Sequence, residues 1–419
     1  MSHLQALVMG NHADRSTIQN LPFELIEMII TMAVLPQGRI CEMEEEPPLA
    51  VMLVCHAWKR WALSIPKLWC RLLIDTARPA VKRLNNQLTH SANSPLSVRL
   101  TAQNTDNFQA AVAIILPHQH RIASLCLDGP QDFFSIFSGK IATPVMEEIH
   151  FHSMDWSVTP ESHIDFGIAP RRVTLEVVRF EDIRIDWTNV TSMCLTAVAL
   201  DGTLPPFDGL KSLKKLELEL DGWVPPDDFE VVVNQTIEEL SLQGENAAEI
   251  VINTISMPSL QRLRINIVDV VTFNDEICRF LGGCDLKVLE IQDYSEDLDL
   301  DETLATEALI TALDATQSLR ELIIGSQDVS VQLVLILVDH DWLPGLQNLT
   351  LSVYFDPDDN LSDFVTHLDA IQGRSPNFSL FLSFDTKKED LPRDIVDRLN
   401  EGRWQIAEED FHSDSAFYS

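Results

Sequence analysis

The chain has 419 residues, 45% of them hydrophobic, and its 64 Asp/Glu against 30 Lys/Arg give a net charge of −34. A surface this acidic repels nucleic-acid phosphates and anionic lipid headgroups, so it excludes nucleic acid and membrane surfaces as partners. Two interpretations of the acidity stay open: it keeps the protein soluble, or it also attracts a basic target protein.

No apolar run approaches the roughly 20 residues that a membrane helix needs, and the first ten residues lack the pattern of a secretory signal. Seven cysteines without a Cys-x-x-Cys pair suit reduced packing residues better than disulfides. We therefore expect an intracellular protein, cytoplasmic and/or nuclear, with two domains or one elongated array.

The first 75 residues are predicted to form a flexible arm, 1–17, and a helical module, 18–75. The first helix of the module begins near Pro22, which suits a first helical turn, and one stripe of it is apolar. An acidic loop over 37–48 leads to a second helix over 49–63. That second helix is apolar on more than one side, so more than its own neighbours must bury it.

Three phrases of this module carry a family resemblance: Leu21-Pro22-x-Glu24-Leu25-x-x-x-Ile29, Val54-Cys55-x-x-Trp58-x-x-Trp61 and Pro66-x-Leu68-Trp69. In this order they resemble an F-box, in particular the F-box proteins abundant in mushroom-forming fungi. The long acidic insert between the first two phrases departs from the family pattern, although helical modules tolerate insertions in loops. The alternative is an ordinary helical cap on a repeat array.

The F-box resemblance implies that the module docks on a Skp-type adaptor and so joins a cullin–RING ubiquitin ligase. Carried over from the first two phrases, the adaptor-binding residues would be Leu21, Pro22, Leu25, Ile29, Val54, Cys55 and Trp58. An apolar surface too wide for a self-contained helical pair also favours a partner.

Residues 76–118 are predicted to form a connector and N-terminal cap of helices and one strand. The expected elements are a helix over 77–89, a strand over 96–100 and a helix over 106–116.

From 119 to 385, one phrase of the form apolar-x-x-apolar-x-apolar returns at steps of 20 to 33 residues. Its central positions are Leu125, Ile149, Val173, Met193, Leu216, Leu240, Leu263, Leu289, Leu322 and Leu349. The period resembles that of leucine-rich-repeat proteins, which stack parallel strands into a horseshoe. The predicted fold class is therefore α/β: an N-terminal helical F-box-like module followed by an irregular leucine-rich-repeat solenoid. Unrelated strands of an ordinary α/β protein would not keep this period.

The later repeats are longer and leave room for helices over 301–315 and 326–338. A last strand near 378–382 is expected to close the array, and 386–419 to form an acidic C-terminal cap and tail. The Asn or Cys that usually follows the last leucine of a repeat is replaced by Asp221, Glu245 and Val268. Without that side-chain ladder to bond the backbone turns, the curvature is expected to be less regular.

Residues that alternate with the repeat leucines point to the opposite face of each strand, which is the concave face of a horseshoe. We predict that a target protein binds there. The candidate residues are Glu148, His150, Lys215, Glu217, Glu219, Ser241, Arg262, Arg264, Glu290 and Thr350. The alternative is a merely solvated sheet face.

Motifs for metal binding and catalysis are incomplete. His118-x-His120 and His150-x-His152 lack further ligands at metal spacing, and Asp297-x-Asp299-x-Asp301 lacks the glycine and glutamate of a calcium loop. No phosphate loop, dinucleotide fingerprint or Gly-x-Ser-x-Gly occurs, so a hydrolase or transferase would have no residues to use. We predict no cofactor, no metal and no enzymatic activity. The expected function is substrate recognition in a ubiquitin ligase; the alternative is a protein-interaction scaffold with no role in degradation.

Overall fold

The structure is a computed structural model. It describes residues 21–34, 49–137, 139, 146–153, 164–178, 180, 183–197, 207–219, 231–244, 247–267, 275–293, 310–311, 313–325, 334, 343, 345–353, 362–372, 378–384, 393–400 and 404–406. The chain forms two compact units, Met1–Met146 and Glu147–Ser419. The predicted arm, 1–17, and the predicted acidic loop, 37–48, lie outside the described residues.

The first unit combines helices with a small parallel sheet. Its helices are α1 (Phe23–Val34), α2 (Leu49–Met52), α3 (His56–Ser64), α4 (Val81–His90), α5 (Thr105–Ile115) and α6 (Gln131–Phe134). Short 3-10 helices cover Pro66–Trp69, Leu116–Arg121 and Ser135–Phe137. Its strands are β1 (Arg71–Asp75), β2 (Leu96–Thr101) and β3 (Ile122–Asp128). The helices and the strand expected between residues 76 and 118 are confirmed, with shifted ends.

The strands β1, β2 and β3 pair in parallel, since α4 and α5 carry the chain back between them. Leu72, Val98 and Leu125 lie side by side in register and are fully buried. Parallel pairing therefore begins at Arg71, before the predicted start of the array at residue 119.

The second unit is built on parallel strands. They are β4 (Glu148–His152), β5 (Ile164–Asp165), β6 (Arg172–Glu176), β7 (Ile183–Arg184), β8 (Ser192–Thr196), β9 (Lys215–Glu219), β10 (Val232–Val233), β11 (Glu239–Gln243), β12 (Ile255–Ser256), β13 (Arg262–Ile267), β14 (Val288–Asp293), β15 (Glu321–Ile324), β16 (Asn348–Val353), β17 (Ser379–Phe384) and β18 (Gln405–Ile406). The short strands form two separate pairs, β5 with β7 and β10 with β12. The others pair in chain order within one sheet.

The repeat leucines form the core of this sheet. Leu216, Leu240, Leu263, Leu289 and Leu322 follow one another in register across β9 to β15, and all of them are buried. The prediction of a parallel sheet whose strands place the apolar residues of the repeats in the core is confirmed. The protein is thus a mixed α/β chain with a large parallel sheet.

A row of backbone carbonyls joins the starts of successive strands, and we call this row the entry ladder. Its acceptors are the carbonyls of Glu147, Arg171, Thr191, Lys214, Glu238, Gln261, Lys287, Arg320 and Gln347. All but the last accept two successive amides from the next repeat; for example, Lys214 accepts from Glu238 and Glu239 at 2.8 and 2.9 Å. Because strand entry would otherwise leave these amides unpaired, the entry ladder connects the turns without the absent Asn or Cys side chains.

The return segments carry helices α7 (Ala247–Thr254), α8 (Asp275–Gly282), α9 (Ser362–Gln372) and α10 (Arg393–Asn400), and 3-10 turns at Trp187–Asn189 and Phe207–Gly209. Within the predicted helix over 301–315, residues 310–311 and 313–314 are described and are helical. Within the predicted helix over 326–338, only residue 334 is described, and it is helical. The last predicted strand is confirmed as β17, and the predicted C-terminal cap contributes α10 and β18.

Candidate functional site

Helix α1 has two apolar faces, and the chain buries only one of them. Ile26 and Ile30 are 5% and 1% exposed, whereas Leu25, Ile29 and Met32 are 42%, 49% and 77% exposed. Because an α-helix turns by about 100° per residue, the last three residues form a stripe beside the buried one. This second apolar stripe faces solvent.

A break between α2 and α3 exposes further apolar side chains. The prediction of one helix over 49–63 is wrong here: α2 ends at Met52, and Cys55 is extended, with φ −164°, just before α3. The amides of Leu53 and Val54 bond to carbonyls three residues back, which tightens the last turn and ends the helix. Leu53 is 85% exposed as a result, and Val54 and Cys55 are also exposed.

The inward side of the same helices forms a compact core. Its buried members are Ile26, Ile30, Val51, Ala62, Ile65, Leu68 and Trp69. The indole N–H of Trp69 donates to the carbonyl of Ala62 at 2.8 Å, which satisfies the one polar atom of that side chain. Leu21 and Trp58, two of the predicted adaptor-binding residues, pack partly buried against this core. They therefore stabilise the module as well as form part of its surface.

We call the exposed apolar group of this region the apolar face. Its members are Phe23, Leu25, Met28, Ile29, Met32, Leu53 and Val54. In the described part of the chain, seven of the ten exposed large apolar side chains belong to this one helix and one turn. Single exposed apolar residues are ordinary, but a group concentrated in this way marks an interaction surface. Pro22 and Cys55, also predicted to bind the adaptor, are exposed as well. In the sequence they are direct neighbours of Phe23 and Val54, two members of the apolar face.

The predicted target-binding residues of the second unit lie on the strand face opposite the leucine core, which we call the outer strand face. Lys215 and Glu239 are neighbours in register, as are Glu217 and Ser241. The half-buried members of the predicted set are Lys215, Glu217, Glu219, Ser241, Arg264 and Glu290, and Arg262 is exposed. The strand pairing thus brings them into adjacent rows.

Several charges on the outer strand face are paired with one another. Lys215 Nζ lies 2.6 Å from Glu217 Oε1, and Arg264 Nε lies 3.2 Å from Glu290 Oε1. Gln292 bridges the second pair, accepting from Arg264 Nη2 at 3.0 Å and donating to Glu290 Oε1 at 2.7 Å. Such pairs add only about 0–1 kcal/mol each. Their effect is to hold the charges in a set pattern.

Glu148 and His150 were expected to face a partner, but both are buried. His150 Nε2 lies 3.2 Å from Glu176 Oε1, and Glu148 Oε2 lies 3.7 Å from an Arg172 guanidinium nitrogen. Long polar side chains of β6 therefore cover the side chains of β4. The exposure expected for these two residues is wrong.

Thr350 is buried as well, contrary to expectation. It lies in register between Ile323 of β15 and Phe381 of β17. Because neighbouring strands are only about 4.8 Å apart, the two larger side chains shield the short threonine. Thr350 therefore offers little to a partner.

Sequence reasoning missed the contribution of β6 to this face, because its repeat phrase is blurred. Arg172, Thr174 and Glu176 alternate with the buried Val173 and Leu175. The same alternation that placed residues on the other strands would have found them.

Cys194, at the middle of the outer strand face, is buried and unreactive. Burial raises the pKa of its thiol, and the nearby carboxylate of Glu217 raises the pKa further. A thiol held neutral in this way is a poor nucleophile and a poor metal ligand.

Among the described residues, no three His, Cys, Asp or Glu side chains come together in a way that could hold a metal ion. The segment from Asp297 to Asp301 lies outside those residues. No described helix is both long and apolar enough to span a bilayer.

Comparison of the sequence with protein-family models and with curated proteins gave no match.

Proposed function

We propose that this chain is a non-catalytic substrate receptor of an SCF-type cullin–RING ubiquitin ligase. The F-box-like module, 18–75, would bind a Skp-type adaptor, and the leucine-rich-repeat-like array would hold a target protein in the cytoplasm or nucleus. One observation carries the proposal: Leu25, Ile29 and Val54 of the F-box-like phrases belong to the apolar face.

The apolar face can supply part of the binding free energy of a partner. Covering one half-exposed side chain of this size gains about 1 kcal/mol, so the seven side chains would supply about 7 kcal/mol before the cost of association. A micromolar complex has a binding free energy of about −8 kcal/mol. Burial of the partner's own apolar surface and additional polar contacts would therefore have to supply the remainder, including the cost of association.

The outer strand face is the part of the array that we assign to the target. Its side chains are polar, mixed in charge and fixed by mutual pairs, a pattern that serves discrimination between partners. Ubiquitin transfer would follow from proximity, since two binding modules on one chain raise the effective concentration of the target at the ligase. In this mechanism the chain would hold the target and would not itself make or break a covalent bond.

The adaptor interaction is tested by copurification of a Skp-type adaptor with the full chain. Leu25→Asp combined with Ile29→Asp should abolish it without lowering the melting temperature, because both side chains are exposed. The matched control, Val231→Asp with Val233→Asp, changes two exposed valines of the second unit and should bind normally. Adaptor binding by the Leu25/Ile29 variant, or no binding by the unaltered chain, would contradict the proposal.

Recovery of cullin and of ubiquitin conjugates separates ligase assembly from the alternative. A substrate receptor should recover adaptor, cullin and conjugates together, and lose all three with the Leu25/Ile29 variant. Recovery of the adaptor alone would favour an interaction scaffold with no role in degradation.

A further inference from the structure

Positive charge is concentrated in one short stretch of this acidic chain. Residues 49–105 contain eight Lys/Arg and one Asp, a net charge of +7. The other residues contain 22 Lys/Arg against 63 Asp/Glu, a net charge of −41. The stretch includes α2, α3 and α4, so the positive charge belongs to the unit that carries the apolar face.

Five of these cations are available to a partner. Lys59, Arg60, Lys67, Arg78 and Lys82 are exposed, and none of them makes an ion pair with a described carboxylate. Arg99 differs, since it lies 3.4 Å from the carboxylate of Asp128. What sets this stretch apart is its charge balance, because its cations share it with a single carboxylate, that of Asp75, in a chain with twice as many acids as bases.

Two of the cations border the apolar face. The amide of Lys59 donates to the carbonyl of Cys55 at 3.0 Å, so Lys59 lies one helical turn from the residue that directly precedes α3. Cys55 directly follows Leu53 and Val54 of the apolar face. Arg60 is next to Lys59 and equally exposed. We call Lys59 and Arg60 the basic rim.

We propose that the partner of the apolar face presents an apolar groove bordered by carboxylates, and that the basic rim steers and orients its approach. This inference rests on the proposed function, because it assigns the chemistry of the adaptor at the same face. The combination of cations with exposed Leu, Ile and Met side chains fits a protein groove. Nucleic acid would leave those apolar side chains uncovered.

The range of electrostatic forces explains how an acidic chain can attract an acidic partner. At physiological ionic strength the screening length is about 8 Å. Carboxylates at the edge of a groove would meet the basic rim within that distance, so the attraction depends on nearby charges and not on the net charge of the whole chain. Because the chain carries a net charge of −34, an anionic bilayer is the less favoured partner.

The test measures association and dissociation rates of the full chain with a purified, immobilised Skp-type adaptor. Lys59→Glu with Arg60→Glu should slow association about tenfold at low salt and change dissociation little. The difference should disappear as the salt is raised from about 50 mM to about 500 mM. The matched control is Lys211→Glu with Arg320→Glu, which makes the same charge change at two exposed positions of the second unit and should associate normally.

The possible outcomes distinguish failure of the basic rim from failure of the proposed function. If the unaltered chain and the rim variant associate equally fast at low salt, the basic-rim inference is overturned and the adaptor interaction stands. If the unaltered chain does not bind the adaptor at all, the proposed function and this inference both fail. Rim-dependent binding to vesicles containing about one third anionic lipid, together with rim-independent binding to the adaptor, would overturn the inference in favour of a membrane.

Discussion

The apolar face of the first unit and the outer strand face of the second unit differ in how the chain satisfies their side chains. On the apolar face, Leu25, Ile29 and Leu53 are exposed to solvent. Covering these side chains would lower the free energy of the protein. On the outer strand face, Arg264 and Glu290 already neutralise each other at 3.2 Å. The apolar face therefore gains free energy when a partner covers it, whereas the outer strand face already has interactions within the chain.

This difference indicates how binding free energy and specificity are divided. Apolar burial is non-directional and supplies affinity to any partner with a fitting groove. Paired charges gain little when a partner replaces solvent, but they penalise a partner whose charges do not match. The helical module is therefore suited to a constant partner, and the strand face to selecting one target.

The largest expected effect contrasts two adjacent residues of α1. Ile30→Ala should destabilise the module by about 2–5 kcal/mol because its side chain is fully packed. Ile29→Ala should cost less than about 1 kcal/mol, since that side chain is half exposed. Hydrogen exchange over residues 21–75 measures both changes.

The effects of Ile29→Ala and Ile30→Ala on adaptor binding should have the opposite order to their effects on stability, when both variants are folded. Ile29→Ala should weaken it, while Ile30→Ala should retain it. Equal stability losses for the two substitutions would contradict a helix with one buried and one exposed apolar stripe.

A smaller effect is expected on the outer strand face. Glu290→Ala removes the partner of a half-buried Arg264 and of Gln292, so it should destabilise the second unit by about 1–2 kcal/mol. Glu290→Gln should recover part of that loss, because its amide oxygen still accepts hydrogen bonds.

Lys59→Ala, at an exposed cation, should change stability by less than about 0.5 kcal/mol. Urea unfolding compares the three variants, and an equal cost for Glu290→Ala and Lys59→Ala would remove the distinction between paired and unpaired charges.

The smallest expected effect concerns thiol chemistry, without any change in stability. Iodoacetamide should label the exposed Cys55 quickly and leave the buried Cys194 and the partly buried Cys284 unlabelled in the native chain. Burial raises the pKa of Cys284 from 9.0 to about 11, so only about one Cys284 side chain in a thousand is ionised near pH 8. Peptide mass spectrometry reads the three sites separately. Adaptor binding should protect Cys55, and labelling of Cys194 at the same rate as Cys55 would contradict the burial of Cys194 within the strand face.

The thiol of Cys284 makes the stability of the protein depend on pH, with a sign that follows from its pKa. Because the folded-state pKa of Cys284 lies above its ordinary value, its contribution to stability is complete below pH 9.0 and is lost as the pH rises toward 11. Cys284→Ala should remove this loss from the alkaline unfolding profile.

Periodicity predicted the second unit well because each repeat places a leucine where the sheet needs one. Leu216, Leu240 and Leu263 repeat at a nearly constant step and are neighbours in register. The break at Cys55 was not predicted, since an uninterrupted apolar segment gives no sign of a backbone turn. Burial of His150 was not predicted either, because it depends on which side chain of the adjacent strand reaches across it.

The exposure of residues on the two candidate surfaces also depends on contacts that a local pattern does not contain. The spacing of Leu25 and Ile29 indicates an apolar stripe on α1, but the structure is what shows that this stripe is exposed while Ile26 and Ile30 are buried. Thr350 is buried by neighbours that are distant in the chain. Local pattern thus identifies a face, while tertiary packing decides which of its members remain accessible.

The entry ladder also bears on how such a chain can lengthen or shorten in evolution. The first two amides of a repeat, such as those of Glu238 and Glu239, donate to one carbonyl of the repeat before it, here that of Lys214. The carbonyl of Glu238 then accepts the first two amides of the next repeat. A duplication or deletion of one whole repeat therefore recreates the junction already present on either side. The length of the return segment does not enter this junction, so repeats of unequal length can be exchanged. Changes in repeat number can thus alter the outer strand face while leaving the helical module as it is.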